Sequence, residues 1–304
     1  DASSTAIYGA QGANGVIIVT TKTGENSTTR MNVNLSVKAG FSQILRTLDV
    51  MNAEEFANYN NERQHYAKTS HPEPGKGYYP DYTKYNHKYA DPAALGEGTD
   101  WIQAMTYLAP YQQYDFSMNG GQKKTNYYAS LSYSDNKGII LDTGNKRIAG
   151  KITLGHQFNK WFKIDFSTNT MYRRDLWNKA AIGGSNYWTG ATYLNPMLNG
   201  SSTVNDLYQN GTRFNNPYIT LQLNTNYREG FSSTNTATFT FTPVKGLTIK
   251  SMVSYYLWQS HNYRYYPSTL PMKNDGDGGE AYRVEYDDRQ ISSDHTIHYK
   301  KDWN

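Results

Sequence analysis

Apolar and polar residues alternate one by one along stretch after stretch of this chain, and the stretches are joined by connections that are short and long in turn. The first stretch puts Met31, Val33, Leu35, Val37, Ala39 and Phe41 on one face and Asn32, Asn34, Ser36 and Lys38 on the other. A period of two belongs to a β-strand, whose side chains leave on opposite faces in turn. The pattern returns with Tyr127, Ala129, Leu131 and Tyr133 opposed to Asn126, Tyr128, Ser130 and Ser132. It returns again at Ile148, Ile152, Leu154 and Phe158, and then at Phe162, Ile164, Phe166 and Tyr172. Ala237, Phe239 and Phe241 continue it, followed by Leu247, Ile249, Val253, Tyr255 and Leu257. Weaker alternation marks Tyr114, Phe116 and Met118 and the region 280–299. This predicts about eight strands of roughly ten residues or more, longer than the usual five or six of globular sheets.

The connections narrow the architecture. Gly120-Gly121-Gln122-Lys123, Asn159-Lys160 and Pro243-Val244-Lys245-Gly246 read as tight turns. Between them lie long connections at 42–110, 135–146, 173–227 and 267–279. Compact domains rarely hold irregular connections of ~50 residues, whereas membrane β-barrels pair short turns at one end with long loops at the other. The first long connection is expected to hold local helices. Asn52 and Glu55 form a capping-box pair with Met51 poised to staple onto Phe56. A second helix is expected from Trp101 to Leu108, capped by Asp100 and stopped by Pro110.

Composition agrees with a barrel and disfavours a large water-soluble core. The apolar share is 37% and the mean hydropathy is −0.78. The 28 Tyr outnumber the 10 Phe and 6 Trp, and a ring with a polar tip suits a membrane–water boundary or a sugar-contacting surface. No apolar run approaches the ~20 residues of a membrane helix, but barrel strands leave no hydropathy peak. The absence of Cys removes disulfides and thiolate sites. The formal charge of +4 is carried by scattered Lys and Arg, which gives no nucleic-acid signature.

No enzyme, metal or cofactor pattern emerges. His65, His71 and His87 lack metal-ligand spacing, and residues 274–280 stop short of a calcium loop. Gly120-Gly121-Gln122-Lys123 echoes a phosphate loop but precedes a strand, and no nucleophile elbow is present. The functional signal lies in the aromatic content of the long loops. Arg173, Trp177, Tyr187, Trp188 and Tyr193 are the candidate ligand-binding residues. Ring faces stack on sugars and Arg bonds hydroxyls, although the same mixture also folds a long loop over itself.

The opening, DASSTAIYGAQGANGVIIVTTK, supplies a resemblance. Ala2, Ala6, Ile7, Tyr8, Gly9, Gly12, Ala13, Asn14, Gly15, Val16 and Thr20 to Lys22 follow in order a helix, an Ile-Tyr-Gly, a Gly-Ala-Asn-Gly turn and a strand. This resembles the end of the plug domain in TonB-dependent outer-membrane transporters of the SusC/RagA-like family. Met51-Asn52-Ala53-Glu54-Glu55, Asp100-Trp101, Asn126 to Tyr133 and Gly138-Ile139-Ile140 also resemble positions of that family. The chain then opens in mid-domain, with 1–24 as the end of the plug and 25–304 as the N-terminal part of a transmembrane β-barrel.

The expected fold class is all-β: an antiparallel membrane β-barrel segment, forming an open curved sheet when isolated, with long extracellular loops. The resemblance implies a barrel of about 22 strands in the cell outer membrane, surrounded by its lipid, importing oligosaccharides or peptides. It also implies a SusD-like surface lipoprotein as lid, and TonB acting through a segment upstream of Asp1. An extracellular carbohydrate-binding or adhesive β-protein is the alternative. Its apolar strand faces would have to pack on another sheet.

Overall fold

The computed structural model describes residues 31–70, 89, 91–176, 208–209, 212–213, 217–268 and 279–300. Its strands and helices follow the chain as β1 (Asn32–Ser42), α1 (Ala53–Ser70), α2 (Trp101–Ala104), β2 (Ala109–Gln122) and β3 (Thr125–Lys137). Next come β4 (Gly144–Asn159), β5 (Phe162–Leu176), β6 (Tyr208–Gln209), β7 (Thr212–Arg213) and α3 (Pro217–Leu223). The last three are β8 (Thr225–Phe241), β9 (Leu247–Tyr266) and β10 (Glu280–Tyr299). The eight long strands form one antiparallel sheet in the order β1-β2-β3-β4-β5-β8-β9-β10, while β6 and β7 pair by themselves. The sheet is open, with β1 and β10 as its edges.

The register keeps every apolar set on one face. Leu35 lies opposite Phe116, which lies opposite Leu131. Leu154 lies opposite Phe166, then Ala237, then Val253. A slip of one residue would send all of these to the polar face. Among the described residues no second layer of protein covers them: Leu35 is 70% exposed, Leu131 55% and Ile297 75%.

On β5 the apolar face runs from Phe162 to Tyr172. At ~3.3 Å per residue and a tilt of ~40°, that run stands about 25 Å tall, the height of a membrane barrel's apolar band. Rings mark its lower edge, where Phe162 stacks on Phe241 at 4.8 Å and on Phe158 at 5.4 Å, with Trp161 beside them. Above the upper edge the same face turns charged. Lys146 pairs with Asp135 at 3.3 Å, and the Arg174 guanidinium lies 4.3 Å from the Tyr227 ring centre.

At the lower end the strands turn tightly. Lys123 and Lys124 form a two-residue turn displaced two positions from the expected one, because Gly120 and Gly121 still pair with Tyr127 and Asn126. The connection expected at 135–146 spans only 138–143, since Asp135 and Asn136 extend the ladder opposite Lys146 and Asn145.

At the upper end the connections cluster. Trp101, Ile102, Met105 and Leu221 form a small buried core, with Ile44, Val50, Ile140, Leu141 and Tyr218 packed against it. It joins the first long connection, the β3–β4 connection and α3. The Asn52–Glu55 capping box forms in both directions, at 3.0 and 2.8 Å. Asp100 caps α2 by accepting from the Ile102 and Gln103 amides, both at 2.9 Å. That helix ends at Ala104, short of the expected Leu108. Thr106 instead bridges to Ile140, and the Tyr107 amide donates to the Ile139 carbonyl, so the chain is already extended there.

Candidate functional site

The face opposite the apolar band is a wall of Ser, Thr, Asn and charged residues, on which most polar groups find partners across or along the strands. Ser132 donates to Asp115 at 2.6 Å, and Gln113 donates to the same carboxylate at 2.7 Å. Lys163 pairs with Asp165 at 2.7 Å, and the Thr236 and Ser254 hydroxyls meet at 3.0 Å. In a closed barrel this face lines the lumen, where hydroxyls and amides offer an oligomer many weak, exchangeable hydrogen bonds.

The wall changes character toward the loop end. Asn145, Asp175, Arg228 and Asn262 make one row across β4, β5, β8 and β9. The next row down holds Arg147, Arg173, Gly230, Ser260 and Tyr286 across β4 to β10. Asp175 is 7% exposed, accepts from the Asn145 amide and pairs with Arg173 at 2.8 Å. Arg228 donates to the Ser260 hydroxyl at 2.9 Å and lies over the Trp258 ring at 5.5 Å. Trp258 in turn stacks on Tyr286 at 6.3 Å. Guanidiniums thus run along the upper wall from β4 to β9, and flat aromatic rings join them on β9 and β10, with Arg228 over Trp258 and Arg264 over Tyr282.

Arg173, expected in a loop, lies in β5 and faces this wall. The other four expected ligand residues, Trp177, Tyr187, Trp188 and Tyr193, lie outside the described residues, as do the side chains of His65, His71 and His87. Among the described residues no group of three or more His, Asp or Glu is placed to hold a metal ion. Strand parity, carried upward past the last apolar residue, would have found Arg147, Arg228, Trp258 and Tyr286. Above the band both faces are polar, so alternation of polarity no longer marks these positions.

Relatives share this architecture. Over 98% of its length the chain superposes on 35% of a chain in the structure of the RagAB peptide transporter, with TM-score 0.74 and 24% identity. The RagAB peptide importer in its closed-closed state gives TM-score 0.73 at 23% identity, again over 98% of this chain and 35% of that chain. In sequence, the TonB-dependent receptor SusC of Bacteroides thetaiotaomicron is 30% identical over 189 residues, 61% of this chain and 16% of that protein. The chain is SusC/RagA-like. TonB-dependent receptor P26 of Formosa agariphila is 26% identical over 307 residues, 99% of this SusC/RagA-like chain. The chain spans 29% of P26 and 16% of SusC, so it corresponds to a piece of each. These relatives are receptors and transporters, not enzymes. No family model matches the chain.

Proposed function

We propose that this chain is part of a TonB-dependent importer in the outer membrane that takes up nutrients, oligosaccharides or peptides, with a SusD-like surface lipoprotein. Residues 1–24 are the end of its plug and 25–304 the first strands of its barrel. The observation that carries this reading is the two-faced sheet: an uncovered apolar band about 25 Å tall on one side and a polar wall on the other. An adhesive or carbohydrate-binding sandwich would bury that band against a second sheet, and side chains such as Leu131 stay exposed.

In the proposed cycle, the long loops and the lipoprotein capture the substrate at the surface. The polar wall then passes it inward once TonB, acting upstream of Asp1, has displaced the plug. The aromatic loop residues Trp177, Tyr187, Trp188 and Tyr193, together with Arg173, contribute to capture. The test is uptake of labelled oligosaccharides and peptides by cells carrying the full-length gene. Uptake should vanish on deleting the gene and on removing TonB, and fall with Trp177→Ala or Trp188→Ala. Surface binding that persists without TonB, with no internalised label in any strain, would replace import by adhesion.

A further inference from the structure

Two arginines stand directly opposite one another on the upper wall: Arg147 on β4 faces Arg173 on β5. Like charges in that position destabilise a strand pair, and a broken local rule points to function when nothing nearby compensates for it. Asp175 answers Arg173 and is otherwise held by Asn145. Arg147 is exposed, and no carboxylate pairs with it among the described residues. Below it, Lys151 adds a further cation, placed 5.8 Å from the Tyr128 ring centre. The upper wall therefore carries an unanswered positive charge that faces the path through the barrel.

Along the same row, Tyr286 stands four strands from Arg147, about 19 Å at ~4.8 Å per strand. Between them lie Arg173, which is paired to Asp175, and then the small residues Gly230 and Ser260. A ligand that uses both ends is extended, offers flat faces to Trp258 and Tyr286, and brings an anion to Arg147. We propose that the upper lumen wall selects acidic oligosaccharides, chains bearing carboxylates such as those of uronic acids, with Arg147 as the anion-binding residue and Trp258 and Tyr286 as the stacking platform. This rests on the import reading above and specifies its substrate. The ring platform favours a sugar chain over an acidic peptide, because flat pyranose faces match flat rings and peptide side chains do not repeat such a face.

The test uses the full-length transporter with its lipoprotein, purified in detergent. Binding of an oligogalacturonate is compared by calorimetry with that of its carboxyl-reduced neutral counterpart and with a poly-glutamate peptide of equal charge. The acidic sugar should bind at least about tenfold tighter than the neutral one, as a charge-assisted hydrogen bond provides. Arg147→Gln should erase that ratio, and Trp258→Ala should weaken both sugars alike. Normal heat-modifiable migration of each variant shows that the barrel still folds. Equal affinity for the two sugars, tighter binding of the peptide, or an unchanged ratio in Arg147→Gln because the plug supplies the counter-charge, each overturns the proposal. Uptake of a neutral glycan that depends on TonB would leave import standing while removing this specificity. Loss of all TonB-dependent uptake would remove import itself.

Discussion

Gly246 occupies the turn between β8 and β9 at φ +89, a backbone region that costs an L side chain roughly 1–2 kcal/mol. Space is also lacking. A Cβ there would collide with the Lys300 carbonyl oxygen, while the Lys300 amide donates to the Gly246 carbonyl at 2.9 Å. Gly246→Ala should therefore lower the stability of the refolded full-length barrel by about 2 kcal/mol, read as a shift of the urea midpoint in lipid vesicles. An unshifted midpoint would show that the turn relaxes freely. At this scale the sequence was legible wherever one face was apolar. Phe162, Ile164, Phe166 and Tyr172 share a face as their spacing required. Arg173 and Asp135 read as loop residues in sequence because both faces are polar above the band, where alternation of polarity does not report alternation of direction.

Among the elements, α2 shows how a loop helix is fixed in place. It has only four residues, too few to hold itself together in water. Two things keep it: the Asp100 cap and the burial of Trp101 and Ile102 against Leu221. Asp100→Ala removes both capped amides' partner and should cost about 1 kcal/mol. The loss should be local, because the strands share none of these bonds. Amide exchange at Ile102 and Gln103 should accelerate about fivefold, with exchange in β3 and β4 unchanged. Acceleration in the strands as well would mean that the loop core supports the sheet. The cap was readable from Asp100 and the apolar residues after it. The helix end was not, since Thr106 and Tyr107 leave the helix for partners in the β3–β4 connection that no local pattern announces.

For the whole molecule, the import reading sets the two faces of the sheet against two different solvents, and neighbouring residues on one strand measure the difference. Phe166 points from the middle of the apolar band, and Ser167 points from the polar wall at the same height. A cation at the midplane of a barrel's lipid face costs about 2–4 kcal/mol, while a lumen position meets water and polar groups. Phe166→Arg should lose stability of that order in lipid vesicles, and Ser167→Arg should lose no more than about 1 kcal/mol. In a detergent that wets the apolar face poorly the order is retained, and in urea-unfolded chains the two variants become indistinguishable. Equal losses at the two sites would mean that protein, not lipid, covers the band, and the sandwich reading would return. The same logic explains the long strands: β9 and β10 have 20 residues each, about 66 Å along the chain, about twice what a tilted strand needs to cross the apolar band. The excess carries the polar wall beyond the band: Arg147 and Tyr286 lie in the row just above Tyr172, and Trp258 lies in the row of Met171 at the band's upper edge.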